Sequence, residues 1–524
     1  MSARSPINMT GLFLGAMTVG GLLVAIVIGQ RIASNDYKSI GLLLGVCTAI
    51  VVALVAGDKY WVLIPALSPA IGGIRLIPIP FSYSELAAIG AIGMYFIYLA
   101  FKKARFGIRV KTVDLIMYVS LIYLITVWVR NPAGFLFVRT EMIGGRPYFI
   151  IFIAFLAYVV LANHSADQKL GRALIYIMAI PAILVGCLNG FVSIFPESTR
   201  YILPFYGGID VSGLADNFDA EQDGRRLTGL ADIANPIIKL LVALYPASTL
   251  VLPIHIGRFI LFFGSLILIG LSGFRNYYVA AMASLLVASG LRKRWTDIII
   301  VGVVGTVSLS GIIVLQGSGV QMPFAIQRAF SMLPLADWDP AAKADADAST
   351  EWRMDMWKDA WETPGIMRDK LLGDGFGFRL EEMAAIQESL LNQGMGFAGR
   401  SQYEAHLIMG SYHSGPLNTI KRVGFIGLGI LVLWFFFQTR EILRLMARAW
   451  GTPYQNWSLF LTIPAVYAPF NFFFIYGSYE TALPGLIYSL GYYKLLENSL
   501  NRYQLEQASA VEKESSPPPN ALSN

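Results

Sequence analysis

Apolar runs near the length of a bilayer crossing recur along the chain, separated mostly by short polar segments. They fall at roughly 10–30, 39–56, 60–76, 84–101, 113–130, 147–162, 171–195, 228–252, 257–273, 274–290, 296–315, 417–437, 457–475 and 478–495. Such runs predict membrane-spanning α-helices, because only helices and closed barrels satisfy every backbone polar group in lipid. The run at 60–76 holds Pro65, Pro69, Gly72 and Gly73, which predicts a broken or partly re-entrant segment. The expected fold is all-α: a polytopic membrane protein of about 12–14 transmembrane helices with one large extracytoplasmic loop containing short helices. The pattern divides into N-terminal spans and loops (1–227), central spans (228–315), a loop domain (316–413), C-terminal spans (414–497) and a disordered tail (498–524). The first run, from about Met9 to Gly29, lacks a small-residue cleavage site and reads as an anchor.

Composition agrees with this pattern. Hydrophobic residues make up 55% of the chain and charged residues 14%, where a soluble surface needs roughly a quarter charged. Cys47 and Cys187 both lie in apolar runs, so neither a disulfide framework nor a cysteine metal site can be built from them. A net charge of +6 would suit nucleic acid if it were clustered on one surface. Instead the basic residues sit in short loops between spans, which points to membrane orientation and to no nucleic-acid partner.

Those loops set the expected topology. Lys102, Lys103, Arg105, Arg109 and Lys111 form one basic loop, Arg292–Arg294 another, and Arg440, Arg444 and Arg448 a third. With fourteen spans and a cytoplasmic N-terminus, all three fall on the cytoplasmic side, together with the C-terminal tail. The segment Gln316–His413 then lies outside, with eight Asp and six Glu against eight Lys plus Arg. A second outer loop, about 196–227, is also acidic.

Three polar residues gain interest from this placement. Arg226 opens the eighth span, Arg275 lies in the turn between the ninth and tenth, and His413 closes the long loop. A neutral-range imidazole beside permanent cations suits proton transfer next to an anionic group, although interfacial arginines commonly just anchor helix ends. Ser414, Gly415 and Pro416 read as a helix start whose free N–H groups favour an anion, and Arg422 adds charge two turns further in. A phosphate or diphosphate headgroup is the natural ligand at this depth.

The ordered motifs resemble the O-antigen ligase and O-antigen polymerase superfamily, membrane glycosyltransferases that use polyprenyl-diphosphate-linked glycans. RLTGLADIANP at 226–236 looks like the family's arginine–glycine segment with Asn-Pro, and LSGFR at 271–275 like its second arginine motif. Arg353, Trp357, Pro364 and GDGFG at 373–377 resemble its arginine–tryptophan helix and glycine turn. His413, followed by GPLNTIKRVGFIGL after Ser414, resembles the histidine ahead of a Gly-rich span. The chain departs from the family pattern at Ile237 and Ser414, where Asn is frequent, and Arg225 beside Arg226 leaves the register open by one residue.

The resemblance implies inverting, metal-independent transfer of a glycan from its carrier to an acceptor hydroxyl, with no cofactor. His413 would be the general base, and Arg226 or Arg225, Arg275 and Arg422 would hold the diphosphate. The acceptor would be lipid A–core for a ligase or another repeat unit for a polymerase, in O-antigen or exopolysaccharide synthesis. The implied site is the bacterial cytoplasmic membrane, with its lipids and other polysaccharide assembly proteins as partners. A lipid-linked glycan flippase and a non-catalytic assembly subunit are the competing classes.

Other residues have two readings each. Lys239, mid-span, costs about 2.5–3.5 kcal/mol on insertion scales and either lines a cavity or pairs internally. Arg139 and Arg146 either assist the diphosphate or anchor a loop, and Glu480 at an outer turn is equally open. Asp337, Asp339, Asp345 and Asp347 lack calcium-hand spacing and read as a solvated linker. GDGFG reads as a turn, since no Gly-Lys-Ser/Thr follows it. Trp352, Trp357 and Trp361 have near-helical spacing and are expected to pack the loop's helix rather than stack on sugars.

Overall fold

The computed structural model describes residues 57–74, 81–134, 142–209, 227–333, 336–379, 381–384, 386 and 398–515. The apolar runs at 10–30 and 39–56, and Arg139, Arg225 and Arg226, lie outside the described residues. Every apolar run from 84 onward falls on helix. The helices are α1 (Tyr83–Ala100), α2 (Thr112–Arg130), α3 (Arg146–Ala162), α4 (Gln168–Ile194), α5 (Leu230–Leu244), α6 (Ile256–Ser272), α7 (Arg275–Leu291) and α8 (Trp295–Gly317). The loop domain contributes α9 (Phe324–Phe330), α10 (Pro340–Glu362) and α11 (Ala398–Met409). Then follow α12 (Gly415–Ala449), α13 (Gln455–Phe470) with a π-helical extension Asn471–Ile475, and α14 (Tyr479–Ser515). Among the described residues the only sheet is a two-residue parallel pairing of Ala133–Gly134 with Met142–Ile143.

Six of these helices are long and apolar enough to cross a membrane: α1, α2, α4, α8, α12 and α13 with its extension. Two more, α3 and α6, are apolar but shorter. The chain is a polytopic α-helical membrane protein. Large apolar side chains such as Ile299, Val303 and Val307 on α8 project outward, as helices facing lipid require. The run at 60–76 is broken as its prolines demand, giving a short 3₁₀ turn, a helix Leu63–Leu67, and then extended chain paired at Gly73 with Ser82.

Two apolar cores build the bundle. One joins α1, α2 and α3 to α12, α13 and α14; the other joins α4 to α8. Helix α13 serves both, with Trp457 and Leu461 in the first and Leu459 and Ile463 in the second. The α4–α5 contact is close because Gly186 and Gly190 face α5 and Gly229 faces α4. A Cβ at Gly186 would sit 2.1 Å from the Asp232 carbonyl oxygen. Asn189 on α4 also donates to Asp232 at 2.9 Å.

Helix ends are set by short polar signals. Ser82 and Glu85 form a capping box at α1, and the Asp167 side chain caps α4 by accepting from the Leu170 N–H. Gly273, in the left-handed region at φ 72°, ends α6 so that α7 can start at Arg275.

Two expectations need correction. The aspartates at 337–347 were expected in a solvated linker, but residues from Pro340 on form the first turns of α10. Ala342 and Ala346, four residues apart, are buried on that helix, and Asp339 caps it through the Ala341 N–H. The tail expected to be disordered from 498 continues α14 to Ser515; its Leu-, Glu-, Gln- and Ala-rich sequence favours helix, and Arg502 pairs with Glu506 one turn on. The bundle also buries an ion pair. Lys494 on α14 pairs with Asp114 at the start of α2 at 2.9 Å, both fully buried, and Tyr158 donates to the same carboxylate.

Candidate functional site

The loop domain meets the bundle at a deliberate break in α12. Gly424 adopts φ 67° and ψ −177° inside that helix, which frees backbone groups on either side of it. The glycine turn of the loop supplies their partners. Asp374 and Gly375 N–H groups donate to the Lys421 and Arg422 carbonyls, and Phe425 N–H donates to the Lys370 carbonyl. Gly373 and Gly375 take positive φ, as expected for a turn. At Gly424 a Cβ would lie 2.1 Å from the Leu371 oxygen, so only glycine fits there.

Arg422 completes this joint. It is buried, with Nε 2.5 Å from the Glu480 carboxylate, and it donates to the Gly375 and Met409 carbonyls. The diphosphate role expected for it therefore competes with three internal partners. Glu480, left open by the sequence, is the counter-ion. Arg146 is similarly occupied, at 3.3 Å from both oxygens of Glu85.

His413 lies beside this joint in a different environment. Its φ of 51° places it in the left-handed region, which costs an L-residue roughly 1–2 kcal/mol. Trp357 on α10 donates its indole N–H to the carbonyl of the preceding Tyr412 at 2.7 Å and so holds that conformation. The half-buried imidazole packs against Trp352, His406 and Tyr476, with ring centroids 5.5, 6.0 and 5.3 Å away. No described side chain hydrogen-bonds its ring nitrogens. Burial, then His406, then Arg353, push His413 down to about 4. An imidazole near its free value was expected; desolvation and cationic neighbours account for the difference.

Arg353 links His413 to a cationic group. Burial, followed by the Arg328 guanidinium, lowers the proton affinity of Arg353. Arg275, at the first position of α7, feels both Arg328 and Arg353 as like charges, and Asp345 and Asp347 as opposite ones. Arg328 is paired to Asp345 and donates to the Gly273 carbonyl. Arg275 has no ion pair or hydrogen bond among the described residues, and Arg353 makes only a long contact to Ser349 at 3.4 Å. Two half-buried guanidiniums without carboxylate partners, beside a neutral imidazole, form a site that favours a multiply charged anion.

Two cavities come near this group through Asp347 and Tyr476, although His413, Arg353 and Arg275 line neither. On the loop side, about 1370 Å³ opens between α8, α9 and α10, lined by Gln316, Gln327, Asp337, Trp338 and Asp347 among others. Within the bundle, a cavity of about 440 Å³ extends from Tyr476 to Lys239. Of the residues singled out by sequence, the fold brings His413, Arg353 and Arg275 into one electrostatic neighbourhood and sets Arg422, Arg146 and Trp357 into structural contacts. Sequence reasoning missed Arg328, His406 and Tyr476. The near-helical tryptophan spacing was the one signal for this wall: Trp352 packs on both histidines, while Trp361 stacks with Lys370 instead. The fold defines a multi-pass α-helical membrane protein whose loop helices gather a histidine and several arginines. The chain matches no protein-family model and no curated protein.

Proposed function

We propose that this chain transfers a glycan from a polyprenyl-diphosphate carrier to an acceptor hydroxyl, as an inverting, metal-independent glycosyltransferase of a bacterial cytoplasmic membrane. The observation that carries the reading is a neutral His413 beside Arg353, with Arg275 next to Arg353 and neither guanidinium in an ion pair among the described residues. His413 takes the proton from the acceptor hydroxyl as its oxygen bonds to the anomeric carbon. The carbon–oxygen bond to the diphosphate breaks, and the leaving group carries away the electron pair. Arg275 and Arg353 stabilise that growing charge, and Arg226 or Arg225 adds to it on the strength of the motif resemblance. A bound diphosphate would offset the repulsion from Arg353, the smallest of the three causes that hold His413 down, after burial and His406. The loop-side cavity, walled by carboxylates, amides and an indole, suits the glycan, whose hydroxyls need such partners.

The test compares cells lacking the protein with cells carrying wild type or His413→Ala, sizing their extracted polyprenyl-linked glycans by mass spectrometry. Single lipid-linked repeats accumulating in both null and variant identify a polymerase. Long lipid-linked polymer that never reaches lipid A–core identifies a ligase. The second reading, a lipid-linked glycan flippase, draws on the intramembrane cavity at Lys239. It predicts that His413→Ala behaves as wild type while the null does not.

A further inference from the structure

The cavity inside the bundle is lined by α4, α5, α12, α13 and α14, and its walls are mainly apolar, with Phe435, Phe460 and Phe472 among them. Lys239 enters it from α5, nine residues beyond Leu230, which is about 14 Å along the helix axis. Its ammonium has no carboxylate, carbonyl or hydroxyl partner among the described residues. Among other polar groups on the wall, Gln438 accepts from Trp434 and donates to the Leu486 carbonyl, and Ser478 bonds to Thr481, whereas the Tyr493 hydroxyl is buried without a hydrogen-bond partner among the described residues. The backbone is irregular on the same wall. Pro464 and Pro469 lie in α13, and the π-helical turn Asn471–Ile475 leads directly to Tyr476. Broken and π-helical segments at membrane depth persist where they line a cavity, and they recur at binding sites. At its upper end the cavity reaches Tyr476, the ring that packs on His413.

We propose that this cavity is a binding site for a phosphate-bearing lipid, with the phosphate at Lys239 and the chain along the phenylalanine wall. A lone ammonium in apolar surroundings is complementary to one anionic group, and the bilayer supplies anions attached to apolar chains. A volume of about 440 Å³ falls within the usual range for a ligand site, about 300–1,000 Å³. The assignment stands on charge complementarity and does not depend on glycan transfer.

The experiment is native mass spectrometry of the full-length protein in detergent, titrated with undecaprenyl phosphate, phosphatidylglycerol, undecaprenol and inorganic phosphate. Wild type should bind one molecule of a lipid phosphate, at least about tenfold more tightly than Lys239→Gln, while Lys239→Arg retains binding. Melting temperatures of the variants check that each is folded. Preference for undecaprenyl phosphate or for phosphatidylglycerol tells which lipid pool supplies the occupant. Equal binding by Lys239→Gln, equal binding of undecaprenol, or displacement of lipid by inorganic phosphate at matched concentration overturns the proposal. Should transfer fail the His413 test while lipid phosphate still depends on Lys239, the glycosyltransferase reading falls and this site stands.

Discussion

Arg422 and Arg353 are both loop-side arginines beside the same histidine-bearing turn, yet the fold treats them in opposite ways. Arg422 is buried against Glu480 and two carbonyls and closes the joint between the loop domain and α12. Arg353 makes only a long contact to Ser349, and Arg275 likewise has no ion pair among the described residues, though Asp345 and Asp347 lie within its electrostatic reach. A buried arginine whose donors are satisfied by protein holds structure together; one whose donors are left open, next to like charges, fits the anion-binding role proposed for it. Sequence position does not separate the two cases, whereas an account of each donor's partner does.

The comparison breaks if the two classes of arginine respond alike to mutation. His413→Ala should give the largest effect, a loss of about 10²–10⁴-fold in transfer at unchanged folding, read by lipid-linked glycan turnover against protein level. Arg353→Ala and Arg275→Lys should each lower transfer by about 10²–10³-fold without lowering the melting temperature. The lysine variant matters because a point charge cannot replace the guanidinium fork. Arg422→Ala should do the reverse and destabilise by about 3 kcal/mol, because it empties a buried site and leaves the half-buried Glu480 unpaired. Detergent-solubilised melting curves check it, and Arg422→Ala with Glu480→Gln should recover part of the loss. Smallest is Trp357→Phe, which removes the indole bond to the Tyr412 carbonyl and should cost about 1 kcal/mol.

A pH series sharpens the contrast further. In the unfolded chain a histidine titrates near about 6.5, whereas His413 in the fold is held down to about 4. Above the unfolded value the ring is neutral in both states and contributes nothing to pH dependence. As pH falls from 6.5 toward 4 the unfolded chain takes up a proton that the fold refuses, so stability declines; below 4 the decline levels off. The melting temperature of wild type should therefore fall below that of His413→Gln progressively across this window. A constant difference between the two over the window would mean that the imidazole is not held neutral.

Much of the architecture was legible because hydropathy reports burial in lipid directly. Span starts from 84 onward fall within a few residues of helix starts, and the prolines at 65 and 69 marked the broken segment. The ends were less legible, since the run at 228–252 breaks after Leu244 and those at 417–437 and 478–495 continue as helix to Ala449 and Ser515. The break in α12 was not legible. Gly424 looks like any glycine of a Gly-rich span until the loop's Leu371 is packed against it. The Asp114–Lys494 pair was hidden because each residue sits at the end of an apolar run, and only packing of α2 on α14 joins them. At the site, His413, Arg275 and Arg353 carried readable motifs, while Arg328 and His406 entered through tertiary contacts that no local spacing encodes.

The most direct test places His413→Ala and Arg353→Ala beside Arg422→Lys in cells lacking the native chain, at matched membrane abundance, and measures lipid-linked glycan. The account predicts that the first two accumulate it to the level of the null while folding normally, and that Arg422→Lys loses stability in proportion to any loss of transfer. Wild-type levels of lipid-linked glycan with His413→Ala would contradict the account.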